Sequence, residues 1–238
     1  GIVVTCAVTH ATPASFIAHQ ISRNMYEEIA GDFLQTDVDV FIGGGLKYFN
    51  NRKDQINLVE KLKKNNYQIA YSLDEAVKVK SGKLAGLFYE NHCPPMPERG
   101  DMLPKSVMAA IDILDNNKKG FFLMVEGSQI DWAAHDNDKK QIVKEMLDFD
   151  ETIGKVLDYA QKDGNTLVII TADHETGGMT ILNGKFGSDE MDAHFSTKNH
   201  SGVPVPIYAF GPGAEQFTGI MENTAFKGKI EKLLDLKK

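Results

Sequence analysis

Carboxylates and imidazoles gather at the ends of apolar runs in this chain. Glu126 follows FFLMV, and Asp131 and His135 come five and nine residues after it. Asp173 and His174 follow LVIIT closely, and His200 stands shortly before VPVPIYAF. Residues at i and i+4 of a helix share a face, so Asp131 and His135 can hold one ion together. Asp173 and His174 are neighbours and share no face of a regular strand; at an irregular strand end they can diverge, one serving a different ion. Imidazole nitrogen with carboxylate oxygen suits zinc, and oxygen-only sets suit magnesium. Taken alone, the Asp131/His135 pair reads as a solvated helix turn, and TADH reads as a strand end with an aspartate cap. Taken together, those bland readings need a coincidence at three separate strand ends, and metal-assisted chemistry unites them.

Other features carry less chemistry. The GGG at 43–45 lacks the Gly-Lys-Ser/Thr ending of a P-loop and reads as a turn where backbone passes closely. His19 reads as a helix-face residue, and His92 and His194 as loop residues, with His194 the nearer to His200 in sequence. Asp136 and Asp138 take solvent and capping roles. Cys6 and Cys93 are too few for a disulfide framework or a cysteine zinc knuckle.

The elements that must position the acids and imidazoles follow from hydrophobic periodicity. GIVVTCAV, VDVFI, YQIAYS, KGFFLMV, NTLVIITADH and VPVPIYAFG are strand-like. PASFIAHQISRNMYEEIA, DQINLVEKLKKNN, LPKSVMAAIDILDNN, KKQIVKEMLDFDETIGKVLDYAQKDG and ENTAFKGKIEKLLDLKK are helical, the last a basic amphipathic helix with a solvated face. In the longest helix, Ile142, Met146, Phe149, Ile153, Val156 and Ala160 recur at steps of four and three as one apolar stripe, with Gly164 to end it. The Gly- and Pro-rich stretch 80–104 reads as a strand plus a long loop. Strands apolar on both faces, alternating with helices, predict an α/β fold with a largely parallel central sheet and helices on both faces. No repeat or linker divides residues 1–238, so a single α/β domain is expected. In such sheets functional groups collect where strands end and helices begin.

Composition narrows the function. The chain has 238 residues, 42% hydrophobic and 25% charged, with a net charge of -7. That acidity argues against non-specific nucleic-acid binding. It suits an anionic substrate only where local cations reverse the sign. No apolar run is long enough to span a membrane. GIVVTCAVTH enters directly as a strand with no initiator Met and no visible signal peptide, and reads as an N-terminal truncation.

The segments VEGSQIDWAAHDND, TADHETGG and TKNHSGVPVPIYAFGPGA resemble three signature segments of alkaline phosphatases. THATPASFIAHQISRNMY and DVDVFIGGGLKYF are similar to two earlier segments of that family, in the same order. The resemblance implies a two-zinc, one-magnesium hydrolase of phosphate monoesters. Asp131, His135 and His200 are similar to the ligands of one zinc, and Asp173 and His174 to ligands of the second. Glu126 and Thr12 resemble ligands of the magnesium, and Arg23 resembles the arginine that clamps substrate phosphate. Some members carry a carboxylate where His10 stands and a lysine where Trp132 stands, so this pair resembles a different branch. The family is commonly dimeric and exported, which implies a homodimer and a periplasmic or secreted setting.

Two expected parts are not found in these residues. The family's serine nucleophile sits in a segment like Asp-Ser-Ala, and a further aspartate bridges the second zinc and the magnesium. Ser15 and Ser128 lie in other segments and do not match. The resemblance therefore implies the C-terminal portion of an alkaline phosphatase, with little or no activity expected of this polypeptide alone. A non-catalytic metal-binding module with the same fold, or a sibling two-metal phosphodiesterase or sulfatase, is the alternative.

Overall fold

The computed structural model describes residues 1–188 and 190–235. Its elements run β1 (Ile2–Ala7), α1 (Ala11–Ser15), α2 (Tyr26–Asp32), β2 (Val40–Gly44), α3 (Lys47–Asn50), α4 (Leu58–Lys64), β3 (Tyr67–Ala70), α5 (Leu73–Ala76), β4 (Lys83–Tyr89), α6 (Met102–Leu114) and β5 (Met124–Glu126). They continue through α7 (Gln129–His135), α8 (Lys139–Asp163), β6 (Val168–Ile170), β7 (Glu175–Thr176), β8 (Thr180–Gly184), β9 (Met191–His194), β10 (His200–Ser201), β11 (Tyr208–Phe210), a 3-10 turn at Ala214–Phe217, and α9 (Ala225–Leu233). Backbone packing divides the chain into two units, Gly1–Trp132 with Lys140–Thr152, and Ala133–Lys139 with Ile153–Lys238.

The first unit holds a five-stranded sheet in the order β3-β4-β2-β1-β5, parallel throughout. β1 is buried along its whole length, as expected of a strand covered on both faces. Val4, Cys6 and Phe41 face one layer, where Ile29, Phe33, Phe49 and Leu62 pack. Phe41 lies 4.6 Å from the Phe33 ring and 5.9 Å from the Phe49 ring. Each such buried ring contributes about 1.5–3 kcal/mol by leaving water. α6, with Leu103, Val107 and Ala110 fully buried, packs on β1 and β2 from the other side.

The GGG segment is a close backbone approach. A Cβ on Gly43 would lie 2.9 Å from the Cys6 carbonyl, and one on Gly44 would lie 2.1 Å from the Asn91 carbonyl. Gly45 adopts φ +97°, which favours glycine.

Two expected helices differ from their patterns. PASFIAHQISRNMYEEIA does not form one helix: α1 ends at Ser15, α2 begins at Tyr26, and Ile21 between them is 98% exposed. Ser22 Oγ accepts the Asn24 amide, a local bond that competes with helical pairing. α8 spans its predicted length, and Gly164 ends it at φ +72° with its amide on the Ala160 carbonyl. Its buried residues are Glu145, Asp148, Thr152 and, from the expected apolar stripe, Ala160, while Met146 of that stripe is 46% exposed. Buried Arg99 causes the shift, pairing with Glu145 at 2.5 Å and Asp148 at 2.6 Å.

The second unit pairs its described strands antiparallel: β6 with β11, β7 with β10, and β8 with β9. VPVPIYAFG thus supplies β11 as an antiparallel partner of β6, while the five-stranded sheet is wholly parallel. In α9, Lys229 Nζ donates to the Gln216 carbonyl at 2.7 Å and sits over the Phe217 ring. The expected C-terminal helix extended to 238; residues 236–238 lie outside the described residues.

Candidate metal centre

In the second unit, the two-residue ladder of β7 and β10 sets His200 opposite Thr176. That register brings the His200 ring face to face with His174, centroids 3.5 Å apart. His135, at the C-terminal end of α7, reaches the same place: its Nε2 lies 3.2 Å from Nε2 of His200. Two imidazoles bound to one tetrahedral zinc at 2.0–2.1 Å hold their nitrogens about 3.3 Å apart, so this spacing fits a shared ion. His135 Nδ1 lies 2.6 Å from the Lys198 carbonyl. A proton on Nδ1 answers that carbonyl and leaves Nε2 with its lone pair. Asp131 precedes His135 by one turn on the same helix.

Asp173 and His174 form a second donor pair. The expectation of divergence does not hold for them: Asp173 Oδ2 and His174 Nε2 converge to 3.4 Å. The stretch after β6 is irregular, and the His174 amide closes onto its neighbour's Oδ1 at 3.2 Å, turning both side chains the same way. Thr176 Oγ1 holds His174 Nδ1 at 3.1 Å. Beneath them, Glu175 accepts the Gly178 amide at 2.8 Å and the Ser201 hydroxyl, so it braces the ladder. His194 stands apart on the β8–β9 hairpin, 3.6 Å from Asp192.

In the first unit, Glu126 ends β5, in register with Val4 of β1. Its Oε2 accepts the Ser128 hydroxyl and, at 3.6 Å, the Cys6 thiol. Burial, then the Glu126 charge, pushes the Cys6 thiol well up, so it stays a protonated donor. Burial raises Cys93 to about 12. Thr12 lies in the first turn of α1, and His10 precedes that turn with its carbonyl on the Ala14 amide.

Arg23 is exposed, with one guanidinium nitrogen 3.5 Å from His10 Nε2. His10 sits among rings: Tyr26 at 6.5 Å, His92 at 5.4 Å and Trp132 at 5.5 Å between centroids. Burial, followed by His92 and Arg23, lowers His10 to about 4 against the opposing pull of Asp131. His10 is therefore neutral near pH 7. The sequence reading missed His92. Its Nδ1 accepts the Ala7 amide at 3.0 Å, and its ring meets Trp132 at 4.7 Å. The signal was its place just after β4, at a strand's C-terminal end.

In the second unit, His135, His200, Asp173 and His174 bring together donor types that zinc accepts; in the first, the exposed Arg23 guanidinium is a planar fork of the kind that pairs with oxyanions. Comparison with known proteins agrees in kind. Residues 1–194 match the family described as Alkaline phosphatase. Alkaline phosphatase 4 of Bacillus subtilis (strain 168) is 33% identical over 310 residues, covering 98% of this chain and 67% of that protein. That matched stretch exceeds the 238 residues here, so the relative carries residues inside it without a counterpart in this chain. The alkaline phosphatase of Escherichia coli (strain K12) is 30% identical, with 100% and 65% covered. The solved alkaline phosphatase of the Antarctic bacterium TAB5 superposes with a TM-score of 0.94 at 43% identity, over 100% of this chain and 72% of that one. A His-to-Asp variant of that enzyme, with Mg bound in its M3 site, superposes with a TM-score of 0.92. On its matching segments, its parallel sheet and these likenesses, the chain belongs to the alkaline phosphatase family.

Proposed function

We propose that this chain carries most of the metal and phosphate machinery of a phosphate-monoester hydrolase that works through a phosphoserine. In this reading Asp131, His135 and His200 hold one zinc, Asp173 and His174 a second, and Thr12 and Glu126 a magnesium. The observation that carries it is the pair of donor couples, His135/His200 at 3.2 Å and Asp173/His174 at 3.4 Å, side by side in one unit. Two adjacent couples support two adjacent ions better than one.

When bound, such ions supply Lewis acidity and charge neutralisation to an in-line phosphoryl transfer. The chain's own residues have separate tasks. Arg23 offers a planar fork to two phosphate oxygens and keeps its charge at alkaline pH. Neutral His10 accepts from that guanidinium and holds it in place. The Lys198 carbonyl selects the His135 tautomer, and the Thr176 hydroxyl orients the His174 ring. The Ser128 hydroxyl and Cys6 thiol orient the Glu126 carboxylate.

No Asp-Ser-Ala segment occurs among the 238 residues, so the polypeptide alone should turn over little or no substrate. The same observation favours a second reading, a metal-binding module that does no catalysis. A chromogenic phosphate ester with added zinc and magnesium tests the first point. Turnover near an ordinary enzyme's, about 10 per second, would overturn it. Supplying an upstream Asp-Ser-Ala segment from a parent sequence decides between enzyme and module: activity supports the enzyme, and persistent silence the module. An exported setting and a homodimer belong to this proposal as well; among the described residues no helix is long and apolar enough to cross a membrane.

A further inference from the structure

A cleft of about 470 Å³ opens in the first unit, and none of its lining residues has been given a role above. The end of α2 and the residues after it line it with Gly31 and Leu34, the loop before α4 with Ile56, and α4 with Leu58, Lys61 and Lys64. The three α4 residues stand at steps of three, so they follow one side of that helix. Leu34, Ile56 and Leu58 make the apolar part, and no aromatic side chain lines it among the described residues. Arg52 also borders the cleft. Its guanidinium is taken by Asp54 and by the Glu27 and Tyr48 carbonyls, so it shapes the wall rather than offering charge.

Gly31 helps to keep this space open. It lies inside α2 without a positive φ, where glycine weakens a helix relative to alanine. No close neighbour requires it either, because a Cβ there would meet nothing within 4 Å. A longer side chain at 31 would enter the cleft. The charge is local as well: the chain carries -7 overall, yet exposed Lys61 and Lys64 stand here outside any ion pair among the described residues. The carboxylates nearest in sequence are engaged elsewhere. Glu60 holds Lys63, Asp54 holds Arg52, and Asp32 takes the Gln20 amide group at 2.8 Å. An aliphatic surface beside two such lysines matches a ligand with an alkyl body and an anionic end. The planar arginine fork that suits phosphate is already filled, and lysine ammonium groups act as point charges, so a carboxylate is the fitting anion.

We propose that the cleft between α2 and α4 is a binding site for an aliphatic carboxylate, its alkyl chain against Leu34, Ile56 and Leu58 and its carboxylate at Lys61 and Lys64. The site is separate from the phosphate chemistry, so binding rather than turnover tests it. Calorimetry on the full chain compares hexanoate, octanoate and octylammonium, which separate the contribution of chain length from that of charge. Two variants locate the site. Gly31→Leu fills the cleft from a position where helix propensity improves. The double variant Lys61→Gln, Lys64→Gln removes the charge from the exposed side of α4 and keeps good helix formers there.

Octanoate should bind about tenfold tighter than hexanoate, because two further methylenes leave water. Octylammonium should bind at least about tenfold more weakly than octanoate. Gly31→Leu and the double lysine variant should each weaken octanoate about tenfold, with urea midpoints no lower than wild type for Gly31→Leu. Absence of octanoate binding overturns the site. So does equal affinity for octylammonium, which would mark unselective apolar adsorption. Octanoate affinity unchanged in both variants would place the binding elsewhere and overturn it too.

Discussion

Two clusters of titratable side chains show opposite designs. Arg99, Glu145 and Asp148 lie in the first unit with side chains 0–3% exposed, and each charge faces an opposite one. Glu145 also takes the Met96 amide at 2.9 Å and the Gln141 amide group at 2.8 Å. His135, His174 and His200 in the second unit bring lone-pair donors together in a half-exposed setting. The first cluster sets one buried cation between two carboxylates and fastens the 94–99 loop to α8. The second brings several imidazole nitrogens together, an arrangement that a shared cation favours. Buried ion pairs serve the fold; several imidazole and carboxylate donors converging in one half-exposed place are the make-up of a ligand site.

The widest separation between the clusters should come from Arg99→Met. It strands two buried carboxylates, and urea unfolding should show a loss of about 3–5 kcal/mol. A loss below about 1 kcal/mol would mean that the cluster is not closed in solution. His135→Ala and His200→Ala should act the other way: metal analysis should show one zinc fewer, while stability of the metal-free protein moves by less than about 1 kcal/mol. Unchanged zinc content would remove both residues from the ligand set.

Acidity sharpens the contrast further. Burial raises the Asp148 carboxyl above its ordinary value, against the opposing pull of Arg99. A raised folded-state value contributes stability that is present in acid and lost as pH climbs through it. The stability of wild type relative to Asp148→Asn should therefore decline from about pH 3 to pH 7, read from urea midpoints across that range. A relative gain with rising pH would reverse the assignment. The smallest effect belongs to the surface pair Lys80–Asp112, 2.9 Å apart with both side chains at least half exposed. Lys80→Ala should leave the unfolding midpoint unmoved.

Much of the candidate site was legible because it sits where local pattern predicts. Glu126, Asp173 and His200 flank apolar strands, and the i,i+4 pair Asp131/His135 lies on a helix whose start the residues announce. What escaped was set by distant partners. α8 reads as an apolar stripe, yet it buries Glu145 and Asp148 because Arg99 stands 46 and 49 residues away in sequence. His92 is the loop residue expected, but its ring is fixed by the Ala7 amide, 85 residues distant. The break between α1 and α2 ends in a short Asn24–Ser22 bond, which hydrophobic periodicity does not register.

The sequence by itself determined which runs become strands and helices, since side-chain hydrophobicity and its period are local properties. It also determined the family, because the matching segments keep their order along the chain. Only the tertiary structure decided that His174 stacks on His200, that His135 reaches His200, and that His10 lies among Tyr26, His92 and Trp132. Those outcomes depend on strand register and loop closure, which bring residues distant in sequence within a few ångströms of each other. No local spacing encodes that.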